Sequence, residues 1–484
     1  MNIDKIKNLG DLKKSAYKPH SIKEELRKNL ILKLQKKEKV FEGIVGFDNT
    51  VLPDIERAIL AQHNILLLGL RGQAKTRIAR LLVELLDEYT PVVSGSELND
   101  DPLNPLSRYA LDLIEEKGDK TPITWLHRSE RYVEKLATPD VSIADLIGDV
   151  DPIKAATLKL PYSDERVIHY GLVPRAHRSI FAINELPDLQ PRIQVSLFNI
   201  LQEGDLQIRG FKYRLPLDLQ FVFTANPEDY TNRGSIITPL KDRIESQILT
   251  HYPKTIEISR SITSQEARIS DDQQGVAISP LLEELLETIT FKARESDLVD
   301  EKSGVSARLS ISAKELLVSA AERRMLINKE KSTDARITDL WGVVPAITGK
   351  IELVYEGEQL GPYAVAINLF QEAISDIFLS IFPKPDEYDK GIENDVYGTI
   401  RAWFSGGNIV DLHNDSSSDE YKESLDEVAG LKEMLSKFNI DERWHYFTME
   451  LVVFALAKFD VINQNILENT ITFEDPFSDM LEGL

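Results

Sequence analysis

Apolar and polar positions alternate on two different periods along this chain, and the change of period marks its parts. In residues 1–40, Ile22, Leu26, Leu30 and Leu34 recur at helical spacing among many lysines, which predicts an amphipathic helical arm able to dock on its own domain or on a neighbour. From Phe41 to about Tyr252, short uniformly apolar runs alternate with helical stretches. That pattern predicts an α/β body, 41–253, with a mostly parallel sheet covered by helices. Three of the runs stand out: Ile65–Leu68, Ser179–Ile183 and Phe221–Phe223. In 254–360 the period is helical, with Leu281, Leu282, Leu285, Leu286 and Ile289 on one stripe and an alanine-rich run from Ser312 to Ile327. This segment reads as a smaller helical domain. Residues 361–484 read as a separate helical extension that crosses a polar loop at His413–Glu420 and ends in two acidic helical segments.

Composition narrows the class. The 484 residues are 42% hydrophobic and 28% charged, an ordinary globular balance with room for several domains. A formal net charge of −22 argues against general nucleic-acid binding, because phosphate backbones are repelled by it; the lysine-rich 1–40 segment reads as a solvated helix face. The absence of cysteine removes disulfides and thiolate metal sites, in keeping with a cytoplasmic protein. The eight histidines are scattered without metal-ligand spacing. No apolar run is expected to reach the roughly 18 residues of a membrane span, and the N-terminus has no apolar signal core.

The apolar runs end in residues that carry chemistry. Ile65–Leu68 leads into Gly69-Leu70-Arg71-Gly72-Gln73-Ala74-Lys75-Thr76-Arg77 and then a helix. A strand end, a turn of inward backbone N–H groups and a helix start form an anion cradle, with lysine on the β and γ phosphates and threonine on Mg²⁺. The pattern G-x-x-x-x-G-K-[ST] is met at Gly69, Lys75 and Thr76, but Ala74 stands where a glycine is usual. If that position takes a positive φ, the methyl group strains it by roughly 1 kcal/mol. The second run ends at Asn184-Glu185. Glu185 is placed to orient and deprotonate a lytic water, while Asn184 takes the place of the usual metal-side aspartate and reaches Mg²⁺ through a bound water. The third run ends at Asn226, a sensor's position beside the γ-phosphate, since ligands of such sheets sit beyond the carboxyl ends of the strands. Arg243, past a short helix, and Arg308, opening a helix of the second domain, offer planar, permanently charged forks for phosphate.

With these residues in this order, the chain resembles an AAA+ ATPase of the MoxR and magnesium-chelatase ATPase-subunit branch, from about Ile44 to Glu356. The resemblance is carried further by Leu136–Pro139, Leu146–Asp151 and Tyr170–Arg178 before the second run, with Ser179 replacing a glycine. Leu197–Gly204 and Ile208–Gly210 resemble the helix and hairpin insertion of the same branch. The resemblance implies a P-loop AAA+ sheet with a helical lid, and ATP and Mg²⁺ as cofactors. It makes Lys75 and Thr76 the Walker A pair, Glu185 the catalytic glutamate and Asn226 sensor 1. Arg243 becomes an arginine finger acting on a neighbouring subunit, Arg308 becomes sensor 2, and Gly46 falls where relatives contact adenine.

The same resemblance implies a homo-oligomeric ring, typically a hexamer, that remodels a protein complex. A partner with a von Willebrand factor A domain is expected on a separate chain, because Asp415-Ser416-Ser417-Ser418-Asp419 only approximates such a domain's D-x-S-x-S metal site and reads as a solvated loop. Two other functions stand beside remodelling: the ATPase motor of a magnesium or cobalt chelatase, and a nucleotide-gated scaffold with little turnover. No nucleic-acid partner and no membrane insertion are expected.

Overall fold

The computed structural model describes residues 3–476 apart from 163, 209–213, 228–233, 386–394 and 468. The chain forms two compact units, Met1–His251 and Tyr252–Leu484.

The first unit is built on a five-stranded parallel sheet: β1 (Ile65–Leu68), β2 (Tyr132–Leu136), β3 (Ser179–Asn184), β4 (Leu219–Ala225) and β5 (Ser246–Leu249), in spatial order β5-β1-β4-β3-β2. The three central strands are buried along their whole length, which is why they read as uniform apolar runs. Period-two alternation still divides their side chains. Leu66, Leu68, Phe181, Ile183, Phe221 and Phe223 enter one core, whereas Ile65, Leu67, Ile180, Val222 and Ile248 enter the core on the opposite face. Three two-stranded antiparallel ribbons supplement the sheet: Tyr89–Val93 with Ile123–His127, Gly148–Val150 with Ile168–Tyr170, and Asp205–Gln207 with Arg214–Pro216. The last flanks the expected hairpin, whose Arg209 and Gly210 lie outside the described residues.

The segment assigned to a separate arm belongs to this unit. Helix α1 (Ile22–Lys36) starts with a capping box between Ser21 and Glu24. It buries Ile22, Leu26 and Leu30 in the same core as α2 (Val51–Leu60) and the Ile78–Ala79 pair of α3 (Lys75–Leu81). Leu34, the fourth residue of the stripe, is left 39% exposed at the end of the helix. A buried fork from Arg131 to both oxygens of Glu25, each at 2.7 Å, fastens α1 to the start of β2. Docking on its own body is therefore what the apolar face of the arm does.

The second unit contains α4 (Ile256–Glu266), α5 (Pro280–Glu295), α6 (Arg308–Ile327), α7 (Pro362–Ile381) and α8 (His445–Lys458). One hydrophobic core runs from Leu282 to Phe473, so the helical lid of 254–360 and the helical extension of 361–484 share an interior and pack as one body. The division at 361 falls at the start of α7, whose Val365, Leu369, Phe370, Ile374 and Phe378 lie in that core. The expectation of no span-length apolar run is corrected here: α7 is 20 residues long and apolar enough to cross a membrane by length and composition. Its buried face, Val365 to Phe378, packs instead against α5 and α8.

Two more readings of this region change. Ten consecutive residues of α8, Phe447 to Leu456, are buried, so the acidic helical region expected after Glu420 ends in a core helix. An antiparallel sheet of Val410–His413, Asn463–Leu467 and Thr470–Glu474 was not expected. The Asp415–Asp419 segment caps a helix: Ser417 and Glu420 form a capping box, while Asp415 accepts from Arg323 and Asn469.

Candidate functional site

Beyond β1 the backbone turns through Gly69–Ala74 into α3. Gly69 N–H donates to Ala225 O at 3.2 Å, tying the loop to the end of β4. A Cβ at Gly69 would stand 2.0 Å from Thr250 Oγ1 and 2.2 Å from Gln73 Oε1, so a side chain there would displace the Thr250–Gln73 hydrogen bond. Gly72 (φ +74°) and Ala74 (φ +55°) both take left-handed backbone, which confirms the positive φ that makes an alanine strained at 74. The Lys75 ammonium folds back into the turn and donates to the carbonyls of Gly69 and Leu70, the latter at 2.8 Å. Thr76 is half-buried, and Arg71 and Arg77 are exposed.

The other strands bring their tips to the same edge. Leu68 is in register with Ala225, and Phe223 with Ile183, so the ends of β1, β4 and β3 emerge side by side. With about 4.8 Å between strands, the phosphate loop and the β3 tip leave the sheet about 10 Å apart. Lys75 and Glu185 thus follow strands that end at one edge of this sheet, with the end of β4 between them. Asn226 is buried one residue past that end. Glu185 is exposed, has left-handed backbone (φ +55°), and donates its N–H to Thr224 Oγ1 at 3.2 Å. The Thr224 hydroxyl donates in turn to Asn184 Oδ1 at 3.1 Å. Asn184 Nδ2 donates to Glu134 Oε1 on β2 at 2.6 Å, and Arg80 of α3 binds the same carboxylate at 2.8 and 3.1 Å. The Arg80 contact holds the Glu134 carboxyl below its ordinary range against the opposing effect of burial.

Motif spacing missed Glu134, Arg80, Thr224 and the chain just after β5. Thr250 donates to Gln73 Oε1 at 2.6 Å and so fastens the phosphate loop. The next residue, His251, shares a 2.8 Å hydrogen bond with Thr50 and meets the Phe47 ring edge-on at 4.9 Å. Gly46 (φ +85°) turns the chain just before Phe47. Contacts spanning 177 and 201 residues leave no local pattern to read.

The two arginines are placed differently. Arg243 follows the short helix Thr238–Lys241, donates to Gln202 Oε1 at 3.1 Å and to Pro239 O at 2.7 Å, and lies over the Phe198 ring at 5.0 Å. Arg308 opens α6 in the second unit and is exposed, with its N–H on Ser306 Oγ at 3.2 Å.

The resemblance implies ATP with Mg²⁺, and the residues fit that group. The turn holds an ammonium among backbone carbonyls, with left-handed backbone at Gly72 and Ala74. At the same sheet edge, the Thr76 hydroxyl, the Asn184 amide oxygen and the Glu185 carboxylate are hard oxygen donors of the kind Mg²⁺ prefers. Among the described residues no group of three or more His, Asp or Glu side chains makes a metal cage. A cavity of about 680 Å³ elsewhere in the first unit, walled by Tyr109, Leu113, Ile153, Leu158 and Tyr170, includes no residue of the turn or the strand tips.

No family model matches the chain. It is 24% identical over 297 residues to the chloroplastic magnesium-chelatase subunit ChlI-2 of Arabidopsis thaliana, an alignment covering 60% of this chain and 67% of that protein. It is 26% identical over 249 residues to the magnesium-chelatase 38 kDa subunit of Cereibacter sphaeroides, covering 49% of this chain and 66% of that protein. The chain thus spans about two thirds of the length of either relative. Among solved structures, a complex between subunits BchI and BchD of magnesium chelatase matches at 17% identity with a TM-score of 0.33, over 66% of this chain and 98% of that one.

Proposed function

Starting from a chain that is an AAA+ protein of the MoxR and magnesium-chelatase type, at low identity to its relatives, we propose that it binds and hydrolyses ATP with Mg²⁺ and uses the cycle to remodel or activate a partner protein complex. One observation carries the reading: the Lys75 turn and the Glu185 tip leave the same sheet edge on either side of β4, the turn tied to that strand by Gly69 N–H on Ala225 O and the Glu185 tip by its N–H on Thr224 Oγ1.

In this reading the loop N–H groups and Lys75 bind the triphosphate, and Thr76 holds the metal side. Mg²⁺ supplies charge neutralisation at the β and γ phosphates. Glu185 orients the attacking water and takes its proton, while Asn226 reads the γ-phosphate. Arg243 serves the site of a neighbouring copy in a homo-oligomeric ring, and Arg308 serves the nucleotide from α6. The partner is a separate protein, and a von Willebrand factor A domain is the kind that suits this branch.

Two features favour related readings. The relatives' names favour a chelatase motor. The amide at 184 and the strained Ala74 favour a nucleotide-gated scaffold with slow turnover. All three require the same site. K75A should weaken a fluorescent ATP analogue's binding at least tenfold by titration, and unaltered affinity overturns the assignment. Steady-state phosphate release from the wild-type protein then separates an ATPase from a scaffold.

A further inference from the structure

The position that departs most from an ordinary site, Asn184, has a carboxylate beside it. Both ends of its amide are committed: Oδ1 accepts from Thr224 Oγ1 at 3.1 Å, and Nδ2 donates to Glu134 Oε1 at 2.6 Å. Glu134 pairs in register with Ala182, two residues short of the β3 tip, and its side chain reaches forward to position 184. Arg80, which donates to both oxygens of that carboxylate, lies four residues after Thr76 on α3. That spacing puts both residues on one helix face. Hydrogen bonds therefore run without a break from Arg80 through Glu134, Asn184 and Thr224 to the backbone of Glu185.

A surface ion pair does not account for this arrangement. The Arg80 side chain is 64% exposed, and an exposed pair contributes about 0–1 kcal/mol. Nor would it engage the amide on the other side. An aspartate at 184, by contrast, would set two carboxylates at hydrogen-bond distance, where like charges oppose each other. An amide is the near-isosteric side chain that allows Glu134 to sit there ionised.

We propose that Glu134 supplies the negative charge that position 184 lacks on the metal side of the nucleotide site, acting through the Asn184 amide, with Arg80 holding the carboxylate in place. Glu134 is thus a positioning residue. The carboxylate has moved one strand outward, and the amide relays it. The proposal rests on the nucleotide site described above.

The test is titration of the full chain with a fluorescent ATP analogue, once with Mg²⁺ and once with EDTA. Wild type should bind more tightly with Mg²⁺. E134Q should lose that gain by tenfold or more while keeping its affinity in EDTA. N184D alone, with two facing carboxylates, should bind the Mg²⁺ form no better than wild type. The exchange variant E134Q/N184D, which restores one carboxylate and one amide, should recover the Mg²⁺ gain to within about threefold of wild type. A wild type indifferent to Mg²⁺ overturns the proposal, as does an E134Q that keeps the full gain. E134Q losing affinity equally in both buffers, with no recovery in the exchange variant, assigns Glu134 to folding alone and also overturns it. If K75A fails to weaken binding, the nucleotide site itself is wrong; if K75A weakens binding and E134Q keeps the gain, only this proposal falls.

Discussion

Ala74 is the residue at which sequence and backbone disagree most openly. Its φ of +55° belongs to the left-handed region, where an L side chain costs about 1–2 kcal/mol that glycine does not. Glycine in turn loses more backbone entropy on folding, by about 0.4–1 kcal/mol, and the Ala74 methyl packs on the core around Ile78 and Leu82. The backbone term is the larger, so A74G should raise the unfolding free energy by up to about 1 kcal/mol. Chemical denaturation measures this directly; a loss of stability would mean that the methyl's packing outweighs the strain. Such residue-level detail was partly legible beforehand. Gly69, Lys75, Thr76, Asn184, Glu185 and Asn226 sit at the ends of apolar runs, where a short local pattern gives both element and chemistry. Glu134, Thr250 and His251 act through partners 50, 177 and 201 residues away, and no window of sequence contains both members of those pairs.

At the scale of elements, the attachment of α1 to the sheet couples stability to pH. The N–H of Ile22, at the start of α1, donates to Asp218 Oδ2 at 2.8 Å, and burial pushes the Asp218 carboxyl up to about 6 despite that bond and the nearby Arg178 and Arg131. An acid whose folded pKa exceeds its unfolded value of about 3.9 keeps in the fold a proton that it releases on unfolding. Its contribution is therefore fully present below about pH 4 and is lost as the pH rises through 6. D218N keeps an oxygen for Ile22 and cannot ionise. The variant should melt higher than wild type above pH 6, with the difference shrinking towards pH 4, and a difference independent of pH would contradict the assignment. Elements were legible in proportion to their burial. β1, β3 and β4 lie between two neighbours and two covered faces, so their sequences are unbroken apolar runs. β2 (Tyr-Val-Glu-Lys-Leu) and β5 (Ser-Gln-Ile-Leu) are the edge strands, half-exposed and polar, and they carry no such signal. The C-terminal sheet hid for the same reason, as Asn463–Leu467 is nowhere fully buried.

At the scale of the whole molecule, the sequence's four parts become two units because apolar faces that look independent along the chain share interiors: α1 with the body, and α7 with α5 and α8. Sequence periodicity shows that a face is apolar but not what covers it. The same distinction governs Arg243. Its guanidinium is held at the end of a short helix by Gln202, Pro239 O and the Phe198 ring, all of its own chain. A cation fixed in this way is preorganised before any nucleotide is bound, which suits a finger offered to a neighbouring copy. R243A should bind the ATP analogue within about twofold of wild type while its hydrolysis falls by roughly 10³-fold, the loss typical of removing such a finger. K75A and R243A proteins should each be inactive alone for different reasons, one lacking the site and the other the finger. Mixed in equal amounts, they create boundaries where an intact R243A site faces an intact Arg243 of a K75A neighbour. Phosphate release recovering on mixing places Arg243 across the boundary, whereas mixtures no more active than their components confine it to its own subunit and remove the case for a ring that reads nucleotide at its joints.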